Sequence, residues 1–355
     1  MSKILLKNGR IWDGEKFYHS DILICDNKIE RISENICEKA EFIYDAKGKT
    51  VSAGLVDAHM HMKGISSDMY GISADTATLP FGVTAAADGS ACMGDETLLN
   101  CFNVKACVFV CSSIKNNDAY FENAEKMMMG YNNKVVGIKA YYDSQAFEVY
   151  DIQPLIKIVE FARKNKLTVM IHCSNSPVEI VEIVNVLGKG DILTHAFQGT
   201  TKNAAYDNFK ALAEARNKGV YIDAGMAGHV HTDIKIFGDA IKQGFCPDII
   251  STDITRCSAY IRGGRYGMTM CMSIAKKLGM REEDIFKAVT STPAKALGKE
   301  NEWGYLNAGR TADISVFDFV DEGFDLTDNA GTRLNNNTGY RCILTVADGQ
   351  IIYKH

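Results

Sequence analysis

Gly54-Leu55-Val56-Asp57-Ala58-His59-Met60-His61 is the stretch from which the rest of the chain can be read. It is a short apolar run, opened by a glycine and ending in two histidines two residues apart. On an extended backbone residues spaced by two share a face, so both imidazoles can reach one ion. Taken alone, a His-x-His pair is weak evidence, because it arises by chance. The other apolar runs change its weight: Thr168–His172 and Ile192–His195 end in histidine, Ile249–Asp253 ends in aspartate, and Lys139 lies near the end of Val135–Ala140. Residues at strand C-termini are where parallel barrels assemble their sites. Four of the eight histidines and one carboxylate are therefore expected at a single rim.

Those runs belong to a longer alternation of apolar strands and helical spacing, the pattern of repeated βα units. The expected strands are Leu55–Ala58, Val83–Ala87, Val104–Val110, Val135–Ala140, Thr168–His172, Ile192–His195, Val220–Asp223 and Ile249–Asp253. Expected helices include Ile152–Lys164, Val178–Leu187, Ala204–Lys218, Ile234–Gln243 and Met268–Leu278. Eight such units over residues 53–300 suit a (β/α)8 TIM-type barrel of roughly 250 residues. A doubly wound open sheet is the alternative, but the glycine-rich nucleotide turn after its first strand is missing.

The two ends read differently. Residues 1–52 alternate short strands such as Ile4–Leu6, Ile11–Trp12, Asp21–Ile24 and Lys28–Ile32 with the turn pairs Asn8-Gly9, Asp13-Gly14 and Asp26-Asn27. Residues 301–355 return to that texture at Ala312–Phe317, Cys342–Val346 and Ile351–Tyr353. One small composite β domain built from both ends is expected.

With 355 residues and 46% hydrophobic content, the chain can bury a large core. Its net charge of −5 comes without a basic block, which argues against nucleic acid or an anionic membrane as partner and leaves a small molecule. No run approaches the roughly 18 apolar residues of a membrane span, and the N-terminal apolar run is shorter than a signal-peptide core. A cytoplasmic location and a homo-oligomer are expected. The eleven cysteines form no C-x-x-C pair and read as buried reduced thiols.

Lys139 is the unusual member of the rim, since an ammonium on an apolar strand is poorly solvated. Either it is salt-bridged or snorkelling, or it is not an ammonium. A lysine desolvated beside two cations can lose its proton, react with carbon dioxide and present a carbamate that bridges a metal pair.

Over nearly its whole length the sequence resembles the amidohydrolase superfamily, in its binuclear branch with dihydroorotases, hydantoinases and related deacetylases. The resemblance rests on Gly54–His61, Gly137-Ile138-Lys139, Ile171-His172, Thr194-His195 and Ser251-Thr252-Asp253. It extends to Ser291–Gly298 and Gly309–Ile314. It implies two divalent ions, zinc being the first expectation and manganese or iron the others. His59, His61 and Asp253 would hold the more buried ion, His172 and His195 the more exposed one, and carboxylated Lys139 would span both. It also implies a bridging hydroxide as nucleophile, with Asp253 as the catalytic acid and base.

The likeness is nearest to deacetylase-type members often labelled dihydroorotase, judged from Gly82-Val83-Thr84, Asp88-Gly89-Ser90 and Thr194–Gly199. Dihydroorotases carry an arginine two residues after the second histidine, where this chain has Lys63, which lacks the bidentate fork. Tyr141 and Tyr142 come earlier than the tyrosine of hydantoinases and are expected to pack. Met127–Met129 reads as helix packing. His229 and His231 form a second His-x-His pair in a glycine-rich loop. His229, Arg256 and Ser174 are the candidates for substrate contact. The expected activity is hydrolysis of an amide or ester in a small anionic molecule. Deamination of a nucleobase and a non-catalytic scaffold are the competing readings.

Overall fold

The computed structural model describes residues 2–92, 96–228, 230–261 and 264–355. At its centre lies a parallel sheet of seven strands: Leu55–Met60, Val83–Ala91, Lys105–Cys111, Val135–Tyr141, Thr168–His172, Ile192–Thr194 and Tyr221–Ile222. They pair in chain order, as right-handed βα units demand. The covering helices follow the apolar spacing. Gln153–Lys164, for example, starts with Pro154 in its first turn and buries Leu155, Ile158, Val159 and Ala162 on one stripe.

The sheet curls until its edges meet across residues 249–254, the arrangement of a TIM-type barrel. On one side Ala224 N donates to Ile249 O (3.0 Å) and Met226 N to Ser251 O (3.2 Å). On the other, Asp253 N donates to His59 O (2.7 Å) and His61 N to Ile254 O (3.1 Å). Only isolated bridges, Asp223 to Ile249 and Met60 to Ile254, mark this segment as strand-like. The expected regular strand Ile249–Asp253 is thus an irregular closing segment. The reason is local: Asp253 adopts φ +46°, and His195, which falls just beyond the strand Ile192–Thr194, adopts φ +60°. Left-handed backbone cannot continue a strand.

Among the helices, the expected Ala204–Lys218 begins only at Lys210, because Asn208 and Phe209 both take positive φ and spend the first half of the stretch on turns. The expected turn at Asn8-Gly9 is a bulge inside one long strand, Lys3–Trp12, whose register shifts between Leu6 and Gly9.

That strand anchors a second sheet of eight strands drawn from both ends of the chain. Its order is Gln350–Lys354, Gly339–Ala347, Ile314–Val320, Thr50–Ala53, Lys3–Trp12, Phe17–Cys25 and Lys28–Ser33, with Phe42–Asp45 paired to Lys3–Trp12. The two ends join where Ile314–Val320 runs antiparallel to Thr50–Ala53. Ile4, Leu6, Ile11, Val51, Ile314, Val316, Leu344 and Val346 make its core. Trp12 Nε1 ties the sheet to the barrel by donating to Thr290 Oγ1 (3.0 Å). All eleven cysteines are free, but only Cys107, Cys173, Cys271 and Cys342 are buried, which corrects the expectation of wholly buried thiols. No helix of the described residues is long and apolar enough to cross a membrane.

Candidate metal centre

The rim residues converge. His59, at the end of Leu55–Met60, points Nε2 at Lys139 Nζ (2.9 Å) and at Asp253 Oδ1 (3.3 Å). His61 turns its own Nε2 to the same carboxylate oxygen (2.9 Å). Their donor atoms with that of Asp253 all lie within 4.8 Å of one another, and all three residues are buried. His172 and His195 face them with ring centres 4.5 Å apart. The distance from His195 Nε2 to Asp253 Oδ2, 3.9 Å, links the two groups.

Three of the four imidazoles, those of His59, His61 and His195, are held from behind at Nδ1. His195 Nδ1 donates to Gly225 O (2.7 Å). A carbonyl only accepts, so Nδ1 carries the proton and Nε2 keeps a lone pair. That Nε2 is buried without a hydrogen-bond partner. A buried, unpartnered lone pair aimed at other donors is what a cation would satisfy, so the residues fit the divalent ions implied by the resemblance. Gly225 is needed twice over: its φ is +50°, and a Cβ there would overlap His195 Nδ1 (2.7 Å) and Thr194 Oγ1. Gly89 is likewise required, since a Cβ would enter the His59 ring.

Buried carboxylates stand one layer out. Asp88 accepts from Ser66 Oγ (2.9 Å), Ser90 N (2.9 Å) and Met62 N (2.6 Å), and both serine hydroxyls meet His61 Nδ1, at 3.0 and 2.9 Å. Asp223 accepts from Thr194 Oγ1 (2.6 Å) and Ser251 Oγ (2.8 Å), and Thr194 Oγ1 lies 3.3 Å from His59 Nδ1. Asp57 accepts from the Thr252 hydroxyl (2.5 Å) and amide (3.1 Å). Burial pushes Asp57 up to about 7 and Asp223 up to about 6, against the pull of these donors.

Lys139 is fully buried, with no ion pair to a carboxylate among the described residues, and burial lowers its ammonium to about 8. Burial likewise drives His59 and His195 well below the usual imidazole range, keeping both neutral as donors.

The constellation floors a cavity of about 480 Å³ whose wall includes Tyr70, Tyr141, Asp143, Phe147, Val230, His231 and Cys257. The structure brings together all six expected rim residues. Among the secondary candidates, Ser174 is buried and reaches the site through His231 Nδ1 (3.1 Å). Arg256 is exposed, donates to Asp68 O (3.2 Å) and is not among the residues of the cavity wall. His229 lies outside the described residues. Lys63 is exposed, and the only lysine or arginine in the described wall is Lys139. Tyr142 packs as expected, donating to Asp151 O, but Tyr141 lines the cavity. In the helix Glu122–Tyr131, Met127 and Met128 pack on the core while Met129 is 85% exposed. Sequence reasoning missed His231 and Asp143. The second His-x-His pair was the available signal for His231. None was available for Asp143, which sits 3.7 Å from His172 Nε2.

A family model described as the amidohydrolase family matches residues 50–352. The chain belongs to the amidohydrolase family. As an amidohydrolase it is a hydrolase acting on carbon–nitrogen bonds. It is 28% identical to a deacetylase of Enterococcus faecalis over 98% of both chains. A crystal structure of an adenine deaminase is 26% identical over 100% of both chains with a TM-score of 0.85. A crystal structure of a dihydroorotase, 23% identical over 99% of both chains with a TM-score of 0.86, shares the amidohydrolase fold.

Proposed function

We propose that this amidohydrolase holds two divalent ions and cleaves the amide bond of a small acylated molecule, with deacetylation as the leading form. The observation that carries the reading is the orphaned, buried Nε2 of His195 set among the donors of His59, His61, His172 and Asp253. The likeness to the deacetylase of Enterococcus faecalis over the full length supports the choice of bond. In this reading His59, His61 and Asp253 hold an inner ion, and His172 and His195 an outer one. Lys139 would serve both as a carbamate, formed when its neutral amine adds carbon dioxide and releases a proton, since a buried ammonium would repel both cations. Imidazole and carboxylate donors suit zinc first, and manganese or iron also.

When bound, such a pair polarises a carbonyl and lowers the pKa of water. The chain's own residues do the rest. Asp253, one oxygen turned to His61 and the other toward His195, takes the proton of the attacking water and returns it to the leaving nitrogen. Asp88, through Ser66 and Ser90, fixes the ring of His61. Tyr70 and Phe147 give the mouth an apolar rim that limits water. Among the described residues of the wall, an anionic substrate would find its positive charge in the ions. Residues 53–300 form the (β/α)8 barrel, and residues 1–52 with 301–355 the composite β domain beside it. The free cysteines fit a reducing compartment such as the cytoplasm.

Deamination of a purine is the second reading, favoured by the likeness to an adenine deaminase. Lys139, intact and buried, weighs against it, because deaminase relatives often use one ion and lack a bridging lysine. An assay of the metal-loaded protein against N-acetyl and other N-acyl acids and amines, cyclic amides and adenine separates the two. Acid release from an N-acyl compound is expected. Ammonia release from adenine with no amide turnover would replace the reading with the second, and no turnover of any of them would leave the scaffold.

A further inference from the structure

The loop after Tyr221–Ile222 delivers a fifth imidazole to the site. Gly225, Ala227 and Gly228 all take positive φ, folding the loop back over the rim, and Val230 N closes a turn on Ala227 O (3.2 Å). Just beyond, Thr232 Oγ1 donates to Met226 O (3.1 Å), and Asp233 caps the helix Ile234–Lys242 by accepting from Ile236 N (2.9 Å). His231 is therefore pinned between a turn and a helix cap. Its ring centre lies 4.2 Å from that of His195 and 4.9 Å from that of His172. The donor atoms of the three lie within 4.8 Å of one another.

Ser174, itself 2% exposed, explains how that ring is set. Its Oγ meets His231 Nδ1 at 3.1 Å; a hydroxyl can donate or accept, and in the tautomer whose Nδ1 proton it accepts the Nε2 lone pair is free, the arrangement that the Gly225 carbonyl fixes for His195. Three imidazole donors favour a divalent transition ion over magnesium or calcium, which take oxygen.

We infer that His231 is a third histidine donor of the outer subsite, completing with His172 and His195 a three-imidazole site for a divalent transition ion. This rests on the two-ion reading above. His231 supplies to the outer subsite what Asp253 supplies to the inner one, but without a negative charge. The outer ion then keeps more of its own charge for polarising the substrate carbonyl, and Ser174 is a positioning residue for His231, not a substrate contact.

Diffraction from the zinc-loaded protein at the metal edge tests this directly. His231 Nε2 is expected about 2.0–2.1 Å from the outer peak. An outer peak held by His172 and His195 with His231 well beyond bonding distance overturns the inference. In solution, wild type is expected to keep two ions per chain through dialysis against a weak chelator. His231→Ala should lose one of them about tenfold faster or more, with an altered visible spectrum when cobalt replaces zinc, and Ser174→Ala should fall between. Two ions retained by His231→Ala with unchanged kinetics and spectrum would overturn the inference and leave the two-ion reading standing. Wild type that never takes a second ion would remove both. If His231→Ala folds poorly, the diffraction measurement on wild type decides.

Discussion

Asp253 holds a backbone angle of φ +46°, and asparagine is among the few residues that tolerate that region. Asp253→Asn is therefore expected to keep the fold and most of the metal while losing on the order of 10²–10⁴ in kcat, because an amide cannot carry the proton. Near-normal turnover would take Asp253 out of the mechanism. Gly225→Ala places a methyl in strained backbone and against the His195 ring. A loss of about 1–3 kcal/mol in unfolding free energy is expected, together with weaker metal retention. A variant of wild-type stability and metal content would contradict the close approach. At this scale much was legible. His59, His61, His172, His195 and Asp253 each sit at or just past the end of an apolar run, and Lys139 is an isolated charge on one. The secondary contacts were not legible: that His231 reaches the site depends on a loop in which Gly225, Ala227 and Gly228 take positive φ. Arg256 lies three residues past a metal-site candidate, but its backbone amide is bound to Tyr70 O and its guanidinium to Asp68 O.

The elements were predictable where side-chain period decides them and not where hydroxyls do. Gln153–Lys164 and Met268–Lys277 fall within a residue of expectation because their apolar stripes are continuous. The segment 249–254 reads as a strand, and its own side chains add to the backbone bonds that hold it. Thr252 bonds Asp57 on the first strand, while Ser251 bonds Asp223 just past the seventh. Thr252→Val leaves the buried Asp57 carboxylate without its strongest donor. A cost of about 1–3 kcal/mol is expected from denaturant unfolding. A change under a few tenths would mean that backbone pairing alone closes the ring. The turns Asp13-Gly14 and Asp26-Asn27 were readable from residue type, but Asn8-Gly9 was not. A bulge and a hairpin use the same left-handed residues, and only the neighbouring strand, with Val51 against Gly9, distinguishes them.

Across the whole molecule, the joining of the two chain ends into one sheet followed from their shared texture, but its order did not. The pairing of Ile314–Val320 with Thr50–Ala53 is a contact between residues hundreds of positions apart, which no local pattern encodes. Ions bound only by the folded state stabilise it by mass action, about 2.7 kcal/mol at a hundredfold excess over Kd. Exhaustive chelation is expected to abolish activity and lower Tm by several degrees, with both restored by zinc or manganese. An unchanged Tm and full turnover after verified metal removal would refute the dependence. The seam of the barrel adds a mechanical consequence. Asp253 N on His59 O and His61 N on Ile254 O stitch the first strand to the closing segment, and the donor atoms of His59, His61 and Asp253 cluster at that same seam. An inner ion bound there, as proposed, would act as the clasp of a bracelet. Its removal should speed amide hydrogen exchange at His61 and Asp253 far more than at Val169, deep in the opposite wall, whereas equal acceleration at all three would mean that the ring stays fastened without it.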